Sequence, residues 1–207
     1  MKITFVSDYV CPYCLVGKEA LHQALKELNI KAEITYQSFE LTEEPRPRVD
    51  TYHSAEKREG YKILEKPCKE LGLDMKIPPA VIPRPYTRLA FEGFFYAQEQ
   101  GCHEKYNDLV YRAYFIDEKN IEDMDVLCDL AEKAGMDPQE YRKALEEGRY
   151  REKEKESTYY AKRIMHVNLI PTMFINDRKV ILETYTKDEV VSILEDILAD
   201  ERKKQQR

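Results

Sequence analysis

Polar and apolar residues alternate in two short runs near the start of the chain. They settle into a helical period through its middle and alternate again near its end. "KITFVS", residues 2–7, is β-branched and aromatic and reads as a buried strand. "CPYCLVGKEALHQALKELN" follows and places Cys14, Leu21, Leu25 and Leu28 on one helical face. Pro12 suits the first helical position, where a missing N–H costs no hydrogen bond. "KAEITYQSFEL" predicts a second strand. Strand, helix and strand in this order make a βαβ unit.

From about residue 53 the pattern is helical. "SAEKREGYKILEKPCKELGL" reads as one helix that Pro67 must kink or divide. "KIPPAVIPRP" is a stiff loop. "YTRLAFEGFFYAQEQG", "EKYNDLVYRAYFID" and "IEDMDVLCDLAEKAG" follow as apolar-faced helices. "DPQEYRKALEEG" opens with Asp137 as a cap and Pro138 at the first helical position, and "RYREKEKESTYYAKRIM" is a charged helix. "PTMFIND" and "RKVILE" then predict an antiparallel hairpin turning at Asn176-Asp177-Arg178. The final helix, "TKDEVVSILEDILADERKKQQR", carries a Thr186–Glu189 capping-box pattern and a stripe of Val190, Ile193, Leu194, Ile197 and Leu198.

Neither end has enough strands for a stable sheet alone, so the two ends must pair. The expected architecture is α/β, with residues 1–50 and 167–207 forming one discontinuous domain. Residues 51–166 form an inserted, all-helical one.

Composition narrows the chemistry. The net charge of −6 in 207 residues argues against nucleic acid, whose phosphates call for a basic surface. No apolar run approaches the roughly 18 residues of a spanning helix, and "ITFV" is too short for a secretory signal. The cytoplasm is the expected compartment. There, a close cysteine pair points to catalysis or metal binding rather than to a structural disulfide.

Cys11 and Cys14 stand at a strand-to-helix junction. Unpaired N–H groups and the positive end of the helix dipole favour a thiolate at Cys11. Cys14 lies one turn on, on the apolar face, and should be the more buried thiol. An exposed attacking thiol with a shielded resolving partner is what disulfide exchange needs. A zinc site would need further ligands, whereas Cys68, Cys102 and Cys128 are isolated and His22, His53, His103 and His166 are scattered. Incidental thiols would leave Pro-Tyr at this corner unexplained. No metal is expected.

Pro171, in "NLIPTMFIN", precedes a strand that should lie centrally in the sheet, an unusual place for proline. With CPYC upstream, a cis bond is expected, presenting the Ile170 backbone beside Cys11 for strand-like pairing with a substrate peptide.

"CPYC" after a strand, with "IPT" before a terminal hairpin and helix, resembles the thioredoxin superfamily. "SDYVCPYCLVGKEAL", "SFEL", "YTRLAFEGFFYAQEQG", "LVYRAYFIDEKNIEDMDVLCDLAEKAG" and "LIPTMFIND" together resemble the FrnE-like branch of the DsbA family over about residues 2–200. The resemblance implies a thioredoxin fold with a helical insertion and thiol–disulfide oxidoreductase activity. It also implies a nucleophilic Cys11, a resolving Cys14 and a cis Pro171. Pro12, Tyr13, Ile170 and Thr172 are the expected substrate-binding residues. Protein or peptide thiols and disulfides are the expected partners, recycled by an unidentified reductase. No organic cofactor is expected beyond the dithiol itself, although a glutathione-linked role is compatible. "LETYTKDE" stands where FrnE-like proteins often have an "SGAQ"-like stretch.

Two rival functions fit the same sequence. One is a glutathione-dependent transferase or isomerase, because kappa-class transferases and 2-hydroxychromene-2-carboxylate isomerases share the insertion topology. The other is a non-enzymatic chaperone or adaptor. Asp8, three residues before Cys11, reads as a solvated loop acid or helix cap. "IPPAVIPRPY" is a candidate wall of the groove above Cys11.

Overall fold

Ile3 and Phe5 turn to one face of the first strand, and Val6 to the other. That alternation gives the chain two cores, one on each side of a single sheet. In the computed structural model, which describes residues 1–205, β1 (Lys2–Ser7) runs into α1 (Pro12–Glu27) and β2 (Glu33–Ser38). β2 pairs parallel with β1 in the register Phe5↔Tyr36. After the helical stretch come β3 (Thr172–Ile175) and β4 (Arg178–Val180). β3 runs antiparallel to β1 with Phe5↔Met173, and β4 antiparallel to β3. The strand order is β2-β1-β3-β4. This is the thioredoxin arrangement, with helices inserted between β2 and β3.

The tight hairpin has a local cause. Asn176 and Asp177 take φ of 45° and 68°, the left-handed pair a type I′ turn requires and that Asn and Asp tolerate. Asn176 also bonds the backbone of Lys2 in both directions, so the turn is tied to β1.

Between the strands lie α2 (Ala55–Tyr61), a 3₁₀ turn (Lys62–Leu64), α3 (Glu65–Leu71), α4 (Arg88–Glu99) and α5 (His103–Phe115). α6 (Met124–Ala134), α7 (Pro138–Glu146), α8 (Arg151–Tyr159) and a π turn (Tyr160–Ile164) complete the insertion. The helix expected over residues 54–73 divides at Lys62–Leu64 and not at Pro67. Pro67 falls in the first turn of α3, where its absent N–H has no helical partner to lose.

One core joins Ile3, Phe5, Met173 and Ile175 to α1 and to α9 (Lys187–Gln205) through Val190, Leu194 and Ile197. Leu64, Cys68 and Leu71 pack into this same core, although they come from the inserted segment. The other core is aromatic. Tyr106 and Tyr141 are fully buried with hydroxyls 2.7 Å apart, and Gly93 of α4 leaves the space they occupy.

At α9 the capping box is half made. Thr186 Oγ1 accepts the Glu189 N–H at 3.2 Å. The Glu189 carboxylate accepts from the N–H groups of Glu183, Thr184 and Tyr185 at 2.6, 2.9 and 2.8 Å. It fixes the incoming loop rather than closing back on the cap. No helix among the described residues is long and apolar enough to cross a membrane.

Candidate active site

Cys11 is the N-cap of α1, with extended φ and ψ of −95° and 111°. Its N–H bonds Asp8 O, and its own carbonyl accepts the Cys14 N–H, both at 3.1 Å. The corner is thus closed by backbone bonds, and Pro12 starts the helix with φ already set. Both thiols are free. Cys14 is completely buried, as its place on the apolar face requires. Cys11 is only 4% exposed, so the expectation of an open Cys11 is corrected. Val10, Tyr13 and the 168–170 segment line the same groove and wall it in.

The Cys11 Sγ lies 3.8 Å from Ile170 O, within reach of a weak S–H···O bond. The Ile170–Pro171 bond is cis. Pro171 is buried behind the groove, against α1 at Gly17. Thr172 does not reach the groove. It is buried at the start of β3, paired with Val6, and its hydroxyl donates to Leu169 O at 2.6 Å. Through that bond the Thr172 side chain holds the 169–171 corner. Cys11, Pro12, Tyr13 and Ile170 do come together in the groove wall.

Burial pushes the Cys14 thiol well above its ordinary range. The neighbouring Cys11, by hydrogen bond and charge, pushes it the same way. Asp8 is not the solvated loop acid expected. It is fully buried, and Oδ2 accepts the Leu41 N–H at 2.7 Å. Burial raises its carboxyl pKa, against the opposing pull of the Leu41 N–H, the Thr87 hydroxyl and the Arg84 charge. When ionised, Asp8 adds a further upward push on Cys14. Nothing in local sequence shows this, because the cover over Asp8 comes from residues such as Tyr111, whose hydroxyl reaches Asp8 O at 3.4 Å.

Tyr13 is held on three sides. Its hydroxyl donates to Gly60 O at 2.8 Å. Its ring meets Tyr61 at 5.9 Å and Tyr185 at 5.2 Å. Tyr185 belongs to the "LETYTKDE" stretch, so that departure from the family pattern places an aromatic residue against the CPYC turn. Lys57, Tyr61 and Arg84 also line the groove. Arg84 lies in the proline-rich loop considered as a wall, and its guanidinium donates to Thr42 Oγ1 at 2.8 Å. No group of three His, Cys, Asp or Glu residues among those described is placed to hold a metal.

A family model described as a DSBA-like thioredoxin domain matches residues 2–194. Uncharacterized protein YwbO of Bacillus subtilis (strain 168) is 36% identical over 205 residues, 99% of this chain and 98% of that one. The probable DsbA oxidoreductase SCO1869 of Streptomyces coelicolor superposes with a TM-score of 0.77 at 23% identity, covering 94% of this chain and 88% of that one. A 2-hydroxychromene-2-carboxylate isomerase superposes at 0.74 and 18% identity, covering 99% and 98%. Such identities speak for the fold alone. Fold likeness does not separate oxidoreductase from isomerase, and the residues at the α1 corner have to do so.

Proposed function

The chain belongs to the DSBA-like thioredoxin domain family, and on that premise we propose that it exchanges disulfides with protein or peptide substrates through Cys11 and Cys14. The observation that carries this reading is a placement. Cys11 stands at the N-terminus of α1, at the groove floor 3.8 Å from Ile170 O, with Cys14 sealed one turn behind it.

The reaction balances as follows. The Cys11 thiolate attacks one sulfur of a substrate disulfide. That S–S bond breaks, the other substrate sulfur leaves as a thiolate, and a mixed disulfide forms on Cys11. Cys14 then attacks the Cys11 sulfur, and the second substrate thiolate leaves. Two electrons pass to the substrate, and the protein retains a Cys11–Cys14 disulfide. A dithiol reductant from outside the chain restores it, and the reverse sequence oxidises a substrate dithiol.

Electrostatics supports the order of events. A thiol held well above its ordinary range, as Cys14 is, stays protonated until the attack on the substrate is made. Burial is the main cause of that shift, and the charge and hydrogen bond of Cys11 add to it. Pro12, Tyr13 and the Ile170 backbone flank the substrate cysteine, and Pro171 positions that backbone.

A pair of thiols at the corner favours exchange over a glutathione-dependent isomerisation, which needs no resolving cysteine. Five cysteines, odd in number and scattered apart from the Cys11–Cys14 pair, do not make a structural disulfide framework, so the cytoplasm is the proposed location. Dithiothreitol-linked reduction of insulin tests the activity. Wild type should catalyse it and Cys11→Ser should not, and retained activity in Cys11→Ser would refute the assignment.

A further inference from the structure

The dithiol groove contains two cations, Lys57 and Arg84, and no carboxylate among its described lining residues. That is notable in a chain with 39 acidic and 33 basic residues. Phe39 and Leu41 form its far wall and also line a second, larger trough. The cations there are Arg46, Lys155, Lys162 and Arg163. The acids of that trough are already engaged or withdrawn. Glu43 pairs with Lys162 at 2.5 Å, and Glu40 and Glu154 are buried at its base. Lys155 pairs with Glu152. Ion pairs cover much of the remaining surface, yet Lys57, Arg84, Arg46 and Arg163 have no carboxylate within 4.0 Å among the described residues. Four cations outside any close ion pair thus line two grooves, Lys57 and Arg84 the one at Cys11 and Arg46 and Arg163 the one that shares Phe39 and Leu41 with it.

We propose that these two grooves together select acidic polypeptide segments. Lys57 and Arg84 would read carboxylates next to the target cysteine, and Arg46 and Arg163 those several residues away. The inference rests on the disulfide-exchange reading and names its substrate class. Exposed charges of this kind act mainly by steering and by selecting among partners, and salt screens them.

Three peptides with the same central cysteine disulfide test it, flanked on both sides by Asp and Glu, by Ser and Gln, or by Lys. At low ionic strength kcat/KM should be about tenfold higher for the acidic peptide than for the neutral one. The ratio should fall towards one in high salt. Lys57→Glu combined with Arg163→Glu should reverse the order, and Lys57→Gln with Arg163→Gln should level it. Equal rates for acidic and neutral peptides, or an unchanged order in the charge-reversed protein, would overturn the inference while leaving disulfide exchange intact.

Binding of cysteine-free versions to the Cys11→Ser protein, followed by fluorescence anisotropy, separates recognition from chemistry. The acidic version should bind about tenfold tighter than the neutral one. Selective binding without turnover of any peptide would overturn disulfide exchange alone. Glutathione is the small acidic thiol that could occupy the first compartment only. If the Arg46→Gln and Arg163→Gln variants lose nothing towards the acidic peptide, the longer occupant is refuted.

Discussion

Gly17 faces Pro171 so closely that any side chain on it would crowd the proline ring. A methyl group on Gly17 would stand 3.1 Å from Pro171 Cγ and 3.3 Å from a Leu182 methyl. The helix that begins at Cys11 therefore touches the corner that presents Ile170, and their spacing sets the distance between sulfur and backbone. Gly17→Ala adds about 1 kcal/mol of helix preference, offset by a crowding cost of about 1–3 kcal/mol. Stability should change little or fall slightly, while kcat/KM for disulfide exchange falls about tenfold to a hundredfold through displacement of the corner. Steady-state kinetics beside a urea titration checks this. Unchanged kinetics would show that the contact does not set the site.

Glu189 connects the terminal helix to the same site through the Tyr185 loop. Glu189→Ala removes the acceptor for three N–H groups and should destabilise the protein by about 1–3 kcal/mol. The amides of residues 183–185 should exchange with solvent faster, and Tyr185 should loosen from Tyr13. Hydrogen exchange at those amides is the measurement, and undiminished protection would refute the role.

Glu40 gives the fold a pH dependence. Burial raises its carboxyl well above the ordinary 4.5, and the charges of Glu154, Asp8 and Glu43 add to this. Between 4.5 and the raised folded value, the native protein holds a proton that the unfolded chain has released. Stability must therefore fall as pH rises through that window. Glu40→Gln keeps a neutral, hydrogen-bonding side chain there. It should flatten the slope by up to about 1.4 kcal/mol per pH unit, and urea midpoints between pH 5 and 9 would show it. An equal slope in both proteins would contradict the assignment.

Gly93 is the steric keystone of the aromatic core. A methyl group there would overlap the Tyr141 hydroxyl at 1.9 Å and the Tyr106 hydroxyl at 2.4 Å. Gly93→Ala should cost about 1–3 kcal/mol. Adding Tyr141→Phe, which deletes the nearer oxygen, should recover part of it. Absence of recovery in the double variant would locate the damage elsewhere.

The parts of this site that could be read from sequence are those with local causes. Pro12 and the two thiols mark the corner because a helix start has a local chemistry. Pro171 is conspicuous because proline is rare before a central strand. What could not be read depends on who covers whom. Asp8 looks like a loop acid until Tyr111, from α5, closes over it. Cys11 looks exposed until Tyr13 and the 168–170 segment wall it in. Lys57 and Arg84 are ordinary surface cations in sequence, and only the fold places them beside Cys11. Thr172 adjoins Pro171 in sequence, and only the fold shows its side chain buried at the start of β3.

Cys11 and Cys14 have unequal roles in disulfide exchange, and trapping the covalent intermediate tests them directly. The Cys14→Ser protein, incubated with a disulfide-bonded peptide and mapped by mass spectrometry, should accumulate one mixed disulfide on Cys11. The Cys11→Ser protein should accumulate none. An adduct on Cys14, or no adduct with any disulfide substrate, would contradict these roles.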